Sequence, residues 1–286
     1  MLNNKILLVV VGETYRHRWP TEHHLENRGT LESYDLQMKA SNSHLHFIKT
    51  IENKLNIKTD VCLFVYSLNQ SWDFDFINNY KNYLAFSKII YENRLGEQQL
   101  QIKLLNFLRD SNISEQYDAI LFIRPDLYLK KYFSEIFEFT ENKIKFAHIN
   151  EIVSTNNHCG CRKSNTLFDI RDNAPPGVDL NLPAVSHQIF YVPKKFFNFL
   201  FTKNIWNKHL SYYECLKYIT KQEIECFINT FHSSCTSLTW NPIYSQVNRT
   251  QCEKWPDEGL EFDYETLSIK NSPLKQYVNL NRKKEY

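Results

Sequence analysis

Six glycines and nine prolines in 286 residues are too few for a collagen-like repeat or a Gly/Pro-rich low-complexity chain. An excess of one charge is also missing. The 34 Lys+Arg against 32 Asp+Glu leave a net charge of +2, which argues against a protein that coats nucleic acid. No apolar run approaches the roughly 18 residues that a membrane-spanning helix needs. The run Ile6 to Val11 is shorter than a signal-peptide core and stops at Gly12-Glu13, so it reads as a strand. The seven cysteines are an odd number and contain no CxxC. Without a leader or a disulfide spacing, a reducing cytoplasmic setting is expected. Cys159-Gly160-Cys161 beside His158 has one residue between its thiols, fewer than zinc-knuckle spacing, and reads as a loop with incidental thiols. No GxGxxG and no GxxxxGK[ST] occurs, which removes the main support for Rossmann dinucleotide and P-loop readings.

What is present is material for a core: 42% hydrophobic residues, 23% charged, and 15% aromatic with 20 Phe and 17 Tyr. Lys5 to Val11 and Asp60 to Ser67 read as buried strands, because both faces of a covered parallel sheet must be apolar. Between them, Leu36, Ala40, Phe47, Ile48, Ile51 and Leu55 keep helical spacing over Glu32 to Leu55. Trp72 to Ile90 reads as an aromatic helix and Gly96 to Arg109 as another helix. Tyr117 to Leu129 is an apolar strand running into the polar turn Arg124-Pro125-Asp126. Lys143 to Ile149 and Gln188 to Val192 read as strands, with a long loop from Ser154 to Pro183 between them. Lys194 to Phe201 and Glu214 to Phe231 read as helices. The alternation predicts one α/β domain with a mostly parallel, Rossmann-like central sheet flanked by helices, over residues 1–271. Residues 272–286 read as a basic, polar tail.

In an open α/β sheet, ligands bind beyond the carboxyl ends of the strands. Two polar clusters fall there. One is Gly12 to Arg18, where Gly12 admits close backbone approach and Arg16, with Arg28 further on, offers forked donors for phosphate oxygens. The other is Arg124 to Asp126. Asp126 is suited to hold a hard divalent cation against a diphosphate, or to pair with Arg124 and close the strand. Asp73-Phe74-Asp75 reads as a helix N-terminus, where carboxylates suit the dipole. His187, before its strand, is a general base, a metal ligand, an acceptor contact or an ordinary strand-edge histidine. Glu151 shares that ambiguity. Trp240-Asn241-Pro242-Ile243-Tyr244 is a rigid aromatic turn that packs the fold or lines a sugar site.

Four segments together resemble glycosyltransferase-like proteins of large DNA viruses and some microbes, of the GT-A (nucleotide-diphospho-sugar transferase) type. They are the first strand with Gly12-Glu13-Thr14-Tyr15-Arg16, Asn27-Arg28-Gly29 and Ser33-Tyr34-Asp35-Leu36-Gln37 through Ser43-His44; the R-x-D-L-Y-L end of Tyr117 to Lys130; the V-P-K-K-F-F of Gln188 to Phe197; and Trp240 to Tyr244 with Asn248-Arg249. The resemblance implies a UDP- or GDP-sugar donor, Mn²⁺ or Mg²⁺, and transfer of a sugar to a glycan or glycoprotein hydroxyl in the cytoplasm, the host's if the chain is viral. It implies donor contacts at Gly12, Arg16, Arg28 and Arg124, a metal contact at Asp126, and a base at His187 or Glu151. Two positions depart from the pattern. Arg124 stands where the first carboxylate of a D-x-D belongs, and His187 stands where an acidic residue is common. Those departures keep a second expectation open, a catalytically weak GT-A-like module that binds a nucleotide sugar or a glycan. A nucleotidyltransferase is a third reading, but its Gly-rich basic loop is missing.

Overall fold

A computed structural model of the chain describes residues 4–15, 29–91, 97–150, 188–202, 223–232, 243–246, 261–263 and 268–270. The first strand, β1 (Lys5–Glu13), is apolar from Ile6 to Val11, where both of its faces are covered. Ile6, Leu8 and Val10 point into one core layer, and Leu7 and Val9 into the other. Helix α1 (Leu31–Leu55) follows, opened by Thr30, whose side chain accepts from the Ser33 amide, and ended by Asn56 in the left-handed conformation. Strand β2 (Lys58–Tyr66) pairs parallel with β1. A single 3₁₀ turn and helix α2 (Asp73–Asn79) lead to strand β3 (Leu84–Ile90), parallel to β2.

Helices α3 (Glu97–Asp110) and α4 (Ile113–Gln116) precede β4 (Ala119–Ile123), which lies parallel to β1 on its other side. A short strand, β5 (Leu127–Leu129), and helix α5 (Lys131–Ile136) come next, then β6 (Ile144–Asn150) and β7 (Ile189–Pro193). After a second 3₁₀ turn comes α6 (Phe197–Thr202), then β8 (Ile224–His232) and β9 (Tyr244–Gln246). Strands β10 (Glu261–Asp263) and β11 (Ser268–Lys270) form a separate antiparallel pair.

The main sheet has seven strands in the order β3-β2-β1-β4-β7-β6-β8. Only β7 runs against the rest, antiparallel to both β4 and β6. One face carries α1, α2 and α5, with Phe47 stacked on Phe133 at 4.8 Å between ring centres. The other carries α3, α4 and α6, through residues such as Leu104, Ile113 and Leu200. Helix α1 therefore leaves β1 onto one face, while α3 approaches β4 from the opposite face. The chain reverses its winding between β1 and β4, which opens a crevice at the carboxyl ends of those two strands.

The mostly parallel α/β sheet expected from the sequence is the one found. Two elements are corrected. Trp72 to Ile90 is not one helix: α2 stops at Asn79, and Leu84–Ile90 pairs with β2 as a strand. The helix expected over Glu214 to Phe231 is contradicted from Ile224 onward, where the chain pairs parallel with β6. The Ser154 to Pro183 segment and the tail at 272–286 lie outside the described residues. Among the described residues, no helix is long and apolar enough to cross a membrane.

Candidate active site at the carboxyl edge

The crevice is built first by backbone contact. Gly12, at the end of β1, has φ +146°, and a Cβ placed on it would come 2.8 Å from Pro125 Cδ. Only glycine lets the end of β1 lie this close to the turn after β4. Thr14 then donates its amide to the Tyr66 carbonyl at 3.0 Å, tying the start of the loop to the end of β2. Tyr15 follows in the left-handed conformation (φ 56°) and is fully buried. Its carbonyl accepts from the Gly29 amide at 3.1 Å, which ties the end of the β1 segment to the start of the α1 segment. Arg16 and Arg28 lie outside the described residues; in sequence each adjoins one end of this bond.

The turn after β4 holds an ion pair. Arg124 donates from Nε to Asp126 Oδ1 at 2.9 Å and from Nη2 to Oδ2 at 2.6 Å, a fork-to-fork arrangement. The Asp126 side chain is 3% exposed and that of Arg124 is 24% exposed. Of the two sequence expectations for Asp126, the pairing with Arg124 is the one observed. Both of its oxygens already accept from a cation. Among the described residues, no group of three or more His, Cys, Asp or Glu side chains could hold a metal ion. A divalent cation at Asp126 would compete with Arg124 for both carboxylate oxygens.

Helix α1 supplies the rest of the frame. Gln37 donates from Nε2 to the Pro125 carbonyl at 2.6 Å and accepts from the Tyr15 amide at 3.3 Å, joining the two loops. His44 Nε2 lies 2.6 Å from the Leu127 carbonyl, and its Nδ1 lies 2.7 Å from the Tyr80 hydroxyl. A carbonyl only accepts, so Nε2 carries the proton and Nδ1 accepts from Tyr80. Burial pulls the His44 pKa down to about 4, against the smaller opposing pull of the Leu127 carbonyl and Asp126. Ser43 Oγ accepts from the Leu129 amide at 2.8 Å. An open cleft of about 600 Å³ lies alongside, between α1 and β5, with Lys39, Asn42, His46, Tyr128 and Lys131 among its walls.

The other motifs meet here too. Strand β7 pairs with β4 so that Ile189 faces Ile123. Because β7 runs antiparallel, its beginning, with Gln188 just before it, lies at the carboxyl edge. The Gln188 Oε1 atom is buried with no hydrogen-bond partner. His187 and Glu151 lie outside the described residues. Leu129 faces Tyr244 across the β5–β9 pair, and the Lys130 amide donates to the Ile243 carbonyl at 2.9 Å. Parts of all four sequence segments thus meet along residues 119–130.

Asp73 and Asp75 stand in the first turn of α2, as expected. Asp73 is buried; its Oδ1 accepts from Ser67 Oγ at 2.6 Å. Tyr34 donates to Asp75 at 3.3 Å. Burial, with Asp73 close by, pushes the Tyr15 hydroxyl far above the ordinary tyrosine range.

Sequence reasoning assigned no role to Gln37, Ser43 or His44 individually. The signal for them was a polar stretch in the buried stripe of a helix. Positions 37, 40, 44, 47, 48 and 51 share one face by spacing, yet 37 and 44 are Gln and His, with Ser43 beside His44.

No family model matches the chain, and no characterised protein matches it in sequence. Solved structures resemble it weakly. A glycosyltransferase involved in glycosylation of the major capsid of PBCV-1 is 8% identical over 79% of this chain and 81% of that one, with a TM-score of 0.34. Galactosyltransferase LgtC, solved with donor and acceptor sugar analogues, is 8% identical over 78% and 72%, at 0.38. A Drosophila galactosyltransferase 7 mutant, solved with manganese, UDP-Gal and xylobiose, is 9% identical over 95% and 83%, also at 0.38. Likeness of this size does not establish kinship, so a function for this chain has to be argued from its own residues.

Proposed function

We propose that the chain is a GT-A-like enzyme of residues 1–271, with a polar tail at 272–286, that moves a sugar from a UDP- or GDP-sugar to a hydroxyl of a glycan or glycoprotein. The observation that carries this reading is the Gly12–Pro125 contact at the winding reversal between β1 and β4. It brings a glycine-floored loop base and an arginine turn to one crevice. In the reaction, a bond forms between the acceptor oxygen and the anomeric carbon. The bond from that carbon to the phosphate oxygen breaks, and the nucleoside diphosphate leaves. The acceptor's proton goes to His187 or Glu151. The departing diphosphate gains negative charge, which Arg124, Arg16 and Arg28 are suited to stabilise.

Asp126 holds the guanidinium of Arg124 where a metal ion would otherwise sit. A Mn²⁺ or Mg²⁺ bound at Asp126 would first have to displace Arg124, so transfer through the arginines is the form we favour. The same ion pair also supports the second reading, a weakly catalytic module that binds a nucleotide sugar, because an engaged guanidinium fork has fewer donors left for phosphate.

A thermal-shift panel of nucleoside diphosphates and their sugars, with and without Mn²⁺, tests the proposal on the wild type and on Asp126→Ala. A ligand at 100 times its Kd stabilises a protein by roughly 2.7 kcal/mol. We expect a shift with one nucleotide, independent of metal and reduced in Asp126→Ala. A shift that requires Mn²⁺ would restore the cation at Asp126. Binding without any sugar release or transfer would favour the module. No shift with any nucleotide would overturn the transferase reading.

A further inference from the structure

We propose that Gln37, Ser43 and His44 are positioning residues that hold the Arg124–Asp126 turn and the base of the β1 loop in one fixed arrangement. The proposal rests on the transfer reading and adds residues to the same site.

The three side chains bond to alternate residues from the turn into β5: the Pro125 carbonyl, the Leu127 carbonyl and the Leu129 amide. The topology explains the alternation. On one edge β5 pairs with β9, and the groups that face β9 belong to even positions, as the Lys130 amide shows. Within β5 the Leu127 carbonyl and the Leu129 amide face α1, on the edge where no strand runs among the described residues. A buried backbone group without a partner is costly, so something must fill that edge. Side chains of α1 stand in for the missing strand.

Satisfying an edge would need only Ser43 and His44. Gln37 does more, because its other end takes the Tyr15 amide of the β1 loop. The same amide side chain therefore spans the two loops that form the crevice. All three residues are buried, at 2%, 6% and 0% exposure. The Arg124–Asp126 pair is thereby held from beneath, through the Pro125 and Leu127 carbonyls on either side of Asp126. Misplacement of a charge-stabilising group by about 1 Å can cost roughly 100-fold in rate, so this frame would act on turnover more than on donor affinity.

The test uses the full chain as wild type, Gln37→Met, Ser43→Ala and Ser43→Thr. Two things are measured: hydrogen exchange of peptides covering 124–130 and β2, and the kinetics of sugar release from the UDP- or GDP-sugar that the wild type binds. We expect faster exchange at 124–130 in Gln37→Met and Ser43→Ala, with β2 unchanged. We expect kcat to fall roughly 10- to 100-fold with KM within about threefold, and Ser43→Thr, which keeps the hydroxyl, to recover. Should Gln37→Met fail to fold, Ser43→Ala alone carries the comparison. Unchanged exchange would overturn the frame. Faster exchange with wild-type kinetics would reduce it to edge satisfaction and overturn the positioning role. No nucleotide binding by the wild type would overturn the transfer reading and the positioning role with it, while the exchange result would still decide whether the frame exists.

Discussion

Gly12 and Pro125 touch where two parallel strands end, and the contact leaves no room for a side chain on Gly12. A Cβ there would meet Pro125 Cδ at 2.8 Å, on a backbone with φ +146°. Gly12→Ala should therefore lose about 1–3 kcal/mol of stability from backbone strain alone, with more from the displaced turn. Urea denaturation with a constant m-value measures it. Wild-type stability would mean that the turn moves aside freely.

Arg124 and Asp126 should respond unequally to removal of the partner. Arg124→Ala strips a carboxylate whose side chain is 3% exposed of its two guanidinium donors, and should cost about 3–5 kcal/mol. Asp126→Ala leaves an arginine that is 24% exposed and can turn toward water, and should cost about 1–2 kcal/mol. Equal losses in paired denaturation curves would show that the pair is not held as buried as its geometry indicates.

His44 makes the fold acid-sensitive. Its folded pKa of about 4 lies below the ordinary value of 6.5, so the neutral form is the folded form. By linkage, stability is full above pH 6.5 and falls as pH drops toward 4, by about 3 kcal/mol over that window. Denaturation midpoints at pH 7 and pH 4.5 check this, and His44→Gln should flatten the slope between them. An unchanged slope in that variant would assign the acid loss to other groups.

Cys62 should be chemically silent in the folded protein. It is fully buried, and burial pushes its thiol up to about 12. Iodoacetamide at pH 8 should leave the Cys62 peptide unmodified natively and alkylate it fully in urea, as read by mass spectrometry.

The sequence made the centre of the sheet legible and misread its margins. β1, β2 and β4 are covered on both faces, so their apolar runs are continuous and cannot pass for amphipathic helix. The two corrected elements, β3 and β8, are the outermost strands of the sheet. An edge strand has one neighbour and partial cover, so it carries residues such as Ser87 and Lys88 in β3. Its pattern then blurs toward helical spacing. At the site, Gly12, Arg124 and Asp126 were legible because they end apolar strands. The partnership of Arg124 with Asp126 was one of two open alternatives, since a sequence does not say whether an arginine two residues away folds back. The α1 frame was hidden for another reason. Gln37, Ser43 and His44 look like weak points in a helix until the free edge of β5 is known.

Helix α1 also fixes what kind of change this fold tolerates. Its first half presents the polar groups to the turn, and its second half presents Phe47, Ile48 and Ile51 to the core. One continuous helix therefore keeps two registers in phase. Each residue added or removed rotates everything beyond it by about 100°. An insertion between Gln37 and Phe47 would leave composition and propensity almost untouched, yet would turn either the frame or the core to solvent. This stretch should accept many single replacements and almost no change of length, with its spacing guarded more closely than its letters.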